Sequence, residues 1–156
     1  MALQLGTLTP DFTLFSDERK PVTLSQFRGH NVILNFFPAA FTGVCTAQLC
    51  DARDNMAAYN SVGAVVLGIS TDTVFALAKF KELNNYQFSL LSDYDKKVIE
   101  AYDMVFPQFL LGMTNVAKRG VFLIDKEGIL KYSEVTASPA DMPNLAKLRE
   151  TLAGLG

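Results

Sequence analysis

Three side chains of this sequence first suggest chemistry: the two cysteines, Cys45 and Cys50, and the one histidine, His30. A structural zinc site needs about four ligands, usually Cys or His, and these residues do not readily supply them. Two cysteines also argue against a secreted disulfide scaffold. A Cys–His catalytic pair would have to use His30, which lies in a turn-like segment at 28–31. We therefore expect His30 to be an ordinary surface residue.

Cys45 lies where a thiolate would be stabilised. It follows a predicted buried strand at 32–37 and falls near the first turn of a helix predicted for 42–59. Backbone N–H groups are unpaired at such a position, and the positive end of the helix dipole favours an anion. The thiolate is the reactive form of cysteine, so the position suggests a reactive thiol. The alternative is a buried structural cysteine, because free cysteine also behaves as a small hydrophobic residue.

Three neighbours of Cys45 favour the reactive thiol. Pro38 ends the preceding strand and can shield the sulfur from water. Thr42 comes three residues before Cys45, so on a helical turn its hydroxyl can lie beside the sulfur. Gly43 permits close approach of the backbone.

The elements that must position these residues follow from the pattern of apolar residues and chain breakers. We predict strands where β-branched and aromatic residues cluster between turns: 11–14, 22–24, 32–37, 64–70, 120–124 and 129–134. We predict helices at 42–59, 71–84, from Asp93 or Asp95 to 102, and at 141–152. The helix at 71–84 has a cap candidate at Thr71 or Asp72, and its apolar residues are Phe75, Leu77, Phe80 and Leu83.

Strands that alternate with helices predict an α/β fold. The turn at 125–128 joins the last two predicted strands in a hairpin, so the sheet is not wholly parallel. We expect one domain over residues 1–156, with a mixed central sheet flanked by helices and an N-terminal β-hairpin. The segment 104–113 is predicted to be a loop because Pro107 and Gly112 interrupt it.

The composition excludes several classes of partner. The net charge is −2, from 14 basic and 16 acidic side chains, which gives no electrostatic reason to expect nucleic acid. The longest apolar stretches, such as 32–40, are too short to cross a bilayer, so no membrane association is expected. The N-terminal segment lacks the pattern of a signal peptide, and we therefore expect a cytoplasmic protein.

The segment 38–45, with the sequence Pro-Ala-Ala-Phe-Thr-Gly-Val-Cys, matches the pattern P-x-x-x-T/S-x-x-C. It resembles the active-site motif of the peroxiredoxin family. The resemblance covers nearly the whole chain and extends to the segments 9–12, 32–37, 67–70 and 118–125. It implies a thioredoxin-like fold with the peroxiredoxin insertions. The activity that it implies is a thiol-dependent peroxidase for hydrogen peroxide and organic hydroperoxides.

The resemblance also implies roles for four residues. Cys45 becomes the cysteine that attacks the peroxide, and Arg119 becomes the cation that stabilises its thiolate and binds a peroxide oxygen. Thr42 becomes the hydroxyl that orients the peroxide, and Pro38 shields the site. This chemistry needs no metal, flavin or haem. Without the motif, Arg119 would be read as an exposed charge at the start of a strand.

Gln48 departs from the family pattern. Many members carry Glu three residues after the nucleophile, and that Glu is expected to help hold the arginine. Gln48 could hold Arg119 only as a neutral hydrogen-bond acceptor.

Cys50 raises the question of how Cys45 is regenerated. Peroxide converts a cysteine to a sulfenic acid, with which a second thiol can condense. The spacing Cys-x-x-x-x-Cys resembles the peroxiredoxin Q (bacterioferritin comigratory protein) group, in which the two cysteines form an intramolecular disulfide. The segment 37–45 also resembles the alkyl hydroperoxide reductase E group, which lacks that resolving position. The alternative is therefore that Cys50 is a packed apolar residue and an external thiol reduces Cys45 directly.

Helix geometry limits the disulfide. Five residues along a helix give a rise of about 7.5 Å and a rotation of about 140°. The Cα atoms of two such residues lie farther apart than the roughly 7 Å that a disulfide allows. The helix must therefore unwind locally before the sulfurs meet. We expect a regular helix in the reduced protein.

Other classes of protein fit the sequence less well. A thioredoxin-like disulfide oxidoreductase normally uses Cys-x-x-Cys, which is absent. A copper chaperone would need a histidine ligand beside the cysteines, and His30 precedes them in an unsuitable place. A non-catalytic binding module is the rival of a different class. The family resemblance implies thioredoxin, a glutaredoxin-like protein or a low-molecular-weight thiol as the reductant.

The apolar segment 106–113 bears on the oligomeric state, which we expect to be monomer or homodimer. The simplest interpretation is that most of this segment packs in the core. An exposed segment would instead favour a homodimer or apolar hydroperoxides.

Overall fold

The computed structural model of the protein describes residues 2–155. Its strands are β1 (Thr13–Ser16), β2 (Pro21–Thr23), β3 (Val32–Phe36), β4 (Val65–Ser70), β5 (Ser89–Ser92), β6 (Val105–Gln108), β7 (Thr114–Ala117), β8 (Gly120–Ile124) and β9 (Leu130–Val135). Its α-helices are α1 (Gly43–Asp54), α2 (Met56–Ser61), α3 (Val74–Asn84), α4 (Lys97–Ala101) and α5 (Leu145–Gly154). Short 3-10 helices cover Leu24–Phe27 and Leu110–Gly112.

Within residues 2–155, seven strands form one mixed sheet in the order β2-β1-β5-β4-β3-β8-β9. The central strand β3 pairs parallel with β4 and antiparallel with β8. All five residues of β3 are buried, as expected for a strand that is covered on both faces of the sheet. The predicted α/β fold is confirmed, with its mixed central sheet, its flanking helices and an N-terminal hairpin of β1 and β2.

Alternate residues of β3 face two separate cores, as the period of two in a strand requires. Ile33 packs in one core with Leu49 of α1 and Phe80 of α3. Leu34 packs in the other core with Ile99 of α4. The helix that carries the cysteines therefore lies on the Ile33 face of the sheet. None of the helices between residues 2 and 155 has the length and apolar character needed to cross a membrane.

The single helix predicted for 42–59 is wrong, because the chain forms two helices that meet at Asn55. The backbone there has φ −110° and ψ 10°, which is not helical. The Asn55 side chain donates to the Asp51 carbonyl oxygen at 2.7 Å and so competes with the helical backbone bond. The break confines the segment with both cysteines to the twelve residues of α1.

The helix predicted for 71–84 begins later, at Val74, and its cap is neither Thr71 nor Asp72. Thr73 is the cap, and its hydroxyl accepts a hydrogen bond from the Ala76 N–H at 3.2 Å. Of the apolar residues predicted for this helix, Leu77 and Phe80 are fully buried. The other two, Phe75 and Leu83, are exposed.

The helices near Asp93 and at the C-terminal end are shorter than predicted. The Asp93 carboxylate accepts from the backbone N–H of Val98 and Ile99, so Asp93 supports the start of α4 from outside the helix. The helix predicted for 141–152 begins at Leu145, after the cap residue Asn144. The four-residue strand β5 was not predicted, and it pairs parallel with β4.

The loop predicted for 104–113 is largely wrong. Residues 105–108 form β6, which pairs antiparallel with β7. Pro107 is tolerated because this separate sheet has only edge strands among the described residues. The expected core packing is also wrong for the tip of the segment, since Leu110, Leu111 and Met113 are exposed.

Candidate active site

Cys45 is the third residue of α1, and its side chain is fully buried. The first backbone hydrogen bond of the helix runs from the Thr46 N–H to the Thr42 carbonyl oxygen at 3.0 Å. The preceding N–H groups have no helical partner, and among residues 2–155 no side chain caps them. The sulfur therefore lies at a helix start whose free N–H groups and dipole favour an anion. Both cysteines are free thiols.

The segment 38–42 connects β3 to α1 and covers the helix start. Pro38 lies two residues after the end of β3 and is buried, as a shielding residue must be. Thr42 occupies the N-cap position, but its hydroxyl turns back and donates to the Ala39 carbonyl oxygen at 2.8 Å. Because this hydroxyl donates its one proton to Ala39, its oxygen can still accept a hydrogen bond from another group.

Asp72 holds the same segment from just beyond the end of the neighbouring strand β4. Its carboxylate accepts from the Ala40 N–H at 2.8 Å and from the Ser70 hydroxyl at 2.7 Å. Phe41, the next residue, has φ 69°, a left-handed conformation that strains a residue with a side chain. Its ring packs against that of Phe80 at a tilt of 56°, with centroids 5.0 Å apart. The strained segment is thus fixed at both the backbone and the side chain.

Arg119 is a buried cation, with only 2% of its side chain exposed, so the reading of an exposed charge is wrong. Its Nη1 donates to Gln48 Oε1 at 3.0 Å, and its Nε donates to the Pro139 carbonyl oxygen at 2.9 Å. No carboxylate of residues 2–155 forms an ion pair with Arg119. The guanidinium therefore keeps both its charge and unused N–H donors for another anion.

Gln48 joins the arginine to the helix that carries Cys45. It lies one turn after Cys45, is fully buried, and accepts the Arg119 hydrogen bond through Oε1. Its Nε2 donates to Asn35 Oδ1 at 3.3 Å. The neutral amide thus anchors the arginine without cancelling its charge. Asn35 was not singled out from the sequence, although one polar residue within the apolar segment 32–37 was a usable signal.

Cys50 lies two turns into α1 and is half-buried. Its sulfur lies 3.7 Å from the hydroxyl oxygen of Tyr86, a residue that the sequence did not single out. Burial raises the pKa of the Tyr86 phenol strongly, and the contact with Cys50 raises this pKa further. The phenol is therefore a neutral hydrogen-bonding group at physiological pH.

Comparison with known proteins identifies the family. Residues 5–133 match the AhpC/TSA family. The chain belongs to this family. It is 39% identical over 131 residues to a putative peroxiredoxin bcp of Coxiella burnetii, covering 83% of this chain and 87% of that one. It is also 37% identical over 131 residues to the peroxiredoxin Bcp of Bacillus subtilis, covering 83% of each chain.

The structural comparison agrees with the sequence. The crystal structure of peroxidoxin BcpB from Mycobacterium tuberculosis matches with a TM-score of 0.86 and 30% identity over 99% of both chains. The predicted membership of the peroxiredoxin family and the thioredoxin fold are confirmed. Similarity to relatives named Bcp agrees with the predicted resemblance to the peroxiredoxin Q group. This peroxiredoxin is thus a thiol-dependent peroxidase.

The side chains that could bind a metal ion do not form a site in the described residues. In the described part of the chain, no three His, Cys, Asp or Glu side chains are grouped so that they could hold a metal ion. His30 is exposed, as expected, and its Nδ1 lies 3.2 Å from the Gly63 carbonyl oxygen.

Proposed function

We propose that Cys45 is the nucleophile with which this peroxiredoxin reduces hydrogen peroxide and organic hydroperoxides. The thiolate attacks the terminal peroxide oxygen, the O–O bond breaks, and the sulfur keeps the hydroxyl group as a sulfenic acid. The other oxygen leaves as hydroxide or alkoxide and takes a proton from water. One observation carries the proposal: the hydrogen bond of Arg119 to Gln48 holds a buried cation against the helix turn after Cys45.

The three other site residues support this attack in different ways. Arg119 stabilises the thiolate and the charge that develops on the leaving oxygen. The free acceptor of Thr42 receives the peroxide O–H, which aligns the O–O bond with the sulfur. Pro38 excludes water from the thiolate. No metal or organic cofactor takes part in this reaction.

We further propose that Cys50 regenerates Cys45 by forming an intramolecular disulfide. The partly buried Cys50 lies on the same helix as Cys45, and it is the other cysteine of the chain. The alternative is a one-Cys peroxidase, in which an external thiol reduces Cys45 directly. Thioredoxin, a glutaredoxin-like protein or a low-molecular-weight thiol would then complete either cycle, which suits a cytoplasmic protein.

The thiol count after one equivalent of hydrogen peroxide tests both proposals. We expect the wild type to lose both free thiols as the Cys45–Cys50 disulfide, because sulfenic acids condense with nearby thiols. The Cys50→Ser variant should instead keep one added oxygen atom on Cys45, which intact-protein mass spectrometry detects. Loss of one thiol in the wild type would support the one-Cys alternative, and loss of none would contradict the peroxidase site.

Hydrogen exchange of α1 tests the conformational change that the disulfide requires. The reduced protein has a regular helix over Gly43–Asp54 with two free cysteines. We expect the amides between the cysteines to lose protection by at least about tenfold after oxidation, since the helix must unwind for the sulfurs to meet. The Cys50→Ser variant is the control, and its exchange should hardly change. Equal protection in both redox states of the wild type would contradict the mechanism.

The whole chain, residues 1–156, is proposed to work as one thioredoxin-fold domain. The exposed side chains of Leu110, Leu111 and Met113 favour contact with a second copy in a homodimer, or with an apolar hydroperoxide. A monomer is the alternative, and light scattering of the reduced protein distinguishes the two states.

A further inference from the structure

Tyr86 contacts α1 at the segment that separates the two cysteines. Its hydroxyl oxygen lies 3.4 Å from the Thr46 carbonyl oxygen and 3.7 Å from Cys50 Sγ. Thr46 directly follows Cys45 in the sequence. One hydroxyl group therefore bridges the backbone beside the first cysteine and the sulfur of the second.

The surroundings of Tyr86 fix this hydroxyl in place. Its side chain is 4% exposed and belongs to the same core as Cys45. Its ring stacks on Phe88 with centroids 5.2 Å apart and meets the edge of Phe80 at 5.4 Å. Because burial and the contact with Cys50 raise its pKa, the phenol keeps its proton and can donate it. These contacts fit two consecutive hydrogen bonds. The Cys50 thiol donates to the phenol oxygen, and the phenol donates to the Thr46 carbonyl oxygen.

These two hydrogen bonds exist only while α1 is folded. When α1 unwinds to bring Cys50 to Cys45, the sulfur must leave the phenol, and the Thr46 carbonyl must move away from it. We propose that Tyr86 is a positioning residue that holds Cys50 in the folded helix and thereby slows its attack on the oxidised Cys45. This inference rests on the proposed resolving role of Cys50.

The delay affects the fate of the sulfenic acid. In the resolving step, Cys50 loses its thiol proton, an S–S bond forms, and the S–O bond of the sulfenic acid breaks to release water. In the competing step, a second hydroperoxide transfers an oxygen to the same sulfur, which becomes a sulfinic acid while the peroxide is reduced. By slowing the resolving step, Tyr86 raises the share of Cys45 that is lost to the competing step.

The Tyr86→Phe variant tests this role, because it removes the hydroxyl but keeps the ring against Phe80 and Phe88. The chain has no tryptophan, so the reaction is followed by quenched flow, thiol alkylation and mass spectrometry. We expect disulfide formation to become about threefold to tenfold faster, as the loss of one or two weak hydrogen bonds allows. Sulfinic acid at high peroxide should fall by a similar factor. The first step, sulfenic acid formation, should be unchanged.

The Tyr132→Phe variant is the matched control. Tyr132 packs against the same core, but its hydroxyl donates to Glu134, and we expect both steps to keep the wild-type rate. Disulfide formation in Tyr86→Phe at or below the wild-type rate would overturn the positioning role while leaving the resolving role of Cys50 intact. Absence of the disulfide from both the wild type and the variant would overturn both roles. A slower first step in the variant would also overturn the inference, since it would show that the hydroxyl serves Cys45.

Discussion

Replacing Cys45 with serine lowers the rate of peroxide reduction by about 10⁴-fold or more, the loss expected when an enzyme loses its nucleophile. A serine hydroxyl is not ionised at the start of α1, and it cannot hold an added oxygen as a sulfenic acid does. Serine is similar in size to the buried cysteine that it replaces, so the fold should persist. Stopped-flow or quenched-flow consumption of hydrogen peroxide by the reduced variant measures the loss.

The control for this prediction is the Cys50→Ser variant. In the proposed mechanism Cys50 acts only after the first chemical step, so its loss should leave the rate of the first peroxide turnover within about twofold of the wild type. If Cys45→Ser reacts as fast as the wild type, the assignment of the nucleophile is wrong. If Cys50→Ser loses the first step and Cys45→Ser does not, the two cysteines have the opposite roles.

Replacing Arg119 with leucine should lower the rate of the first step by about 10²–10³-fold, the usual effect of removing a charged donor from a developing anion. Arg119 is a buried cation without an ion pair among the described residues, and in the proposed mechanism its charge acts on the thiolate and the peroxide. The Arg119→Lys variant keeps the charge but loses the planar set of donors, and its rate should lie between those of the wild type and the leucine variant.

Arg149→Leu is the matched control for Arg119. Arg149 lies on α5 and pairs with Asp51, near the end of α1, at 2.8 Å. Its loss removes an arginine that contacts α1 away from the helix start. We expect its first-step rate to stay near the wild-type value. Circular dichroism of each variant checks that the fold is kept. A first-step rate in Arg119→Leu equal to that in Arg149→Leu would show that Arg119 does not act on the peroxide.

Local sequence patterns account for much of this fold. The β-branched and aromatic residues of 32–37 predicted the buried strand β3, and the turn at 125–128 predicted the hairpin of β8 and β9. The strand and the helix predicted on either side of Cys45 placed it near the start of a helix, where α1 has it. The sequence left open whether Gln48 holds Arg119, which it could do only as a neutral acceptor, and the structure shows this hydrogen bond.

Several differences between the predictions and the structure arise from side chains that bond outside their own segment. Asp72 was expected to cap a helix, but its carboxylate binds Ala40, 32 residues earlier in the chain. The break of the long helix at Asn55 is an exception, because its side chain bonds locally to the carbonyl oxygen of Asp51, four residues earlier. Tyr86 carries no local signal at all, because only the folded chain brings its hydroxyl to Cys50. Such contacts depend on the tertiary arrangement, and periodicity cannot reveal them.

The most direct test of the central claim is to locate the first oxygen atom that the protein takes from a peroxide. The Cys50→Ser variant, reduced and mixed with one equivalent of hydrogen peroxide, is trapped with dimedone, which labels sulfenic acids. Peptide mapping by mass spectrometry then identifies the labelled residue. We predict stoichiometric label on Cys45. A protein that consumes the peroxide but carries no label on Cys45, or one that leaves the peroxide unreacted, would contradict the assignment of Cys45 as the nucleophile.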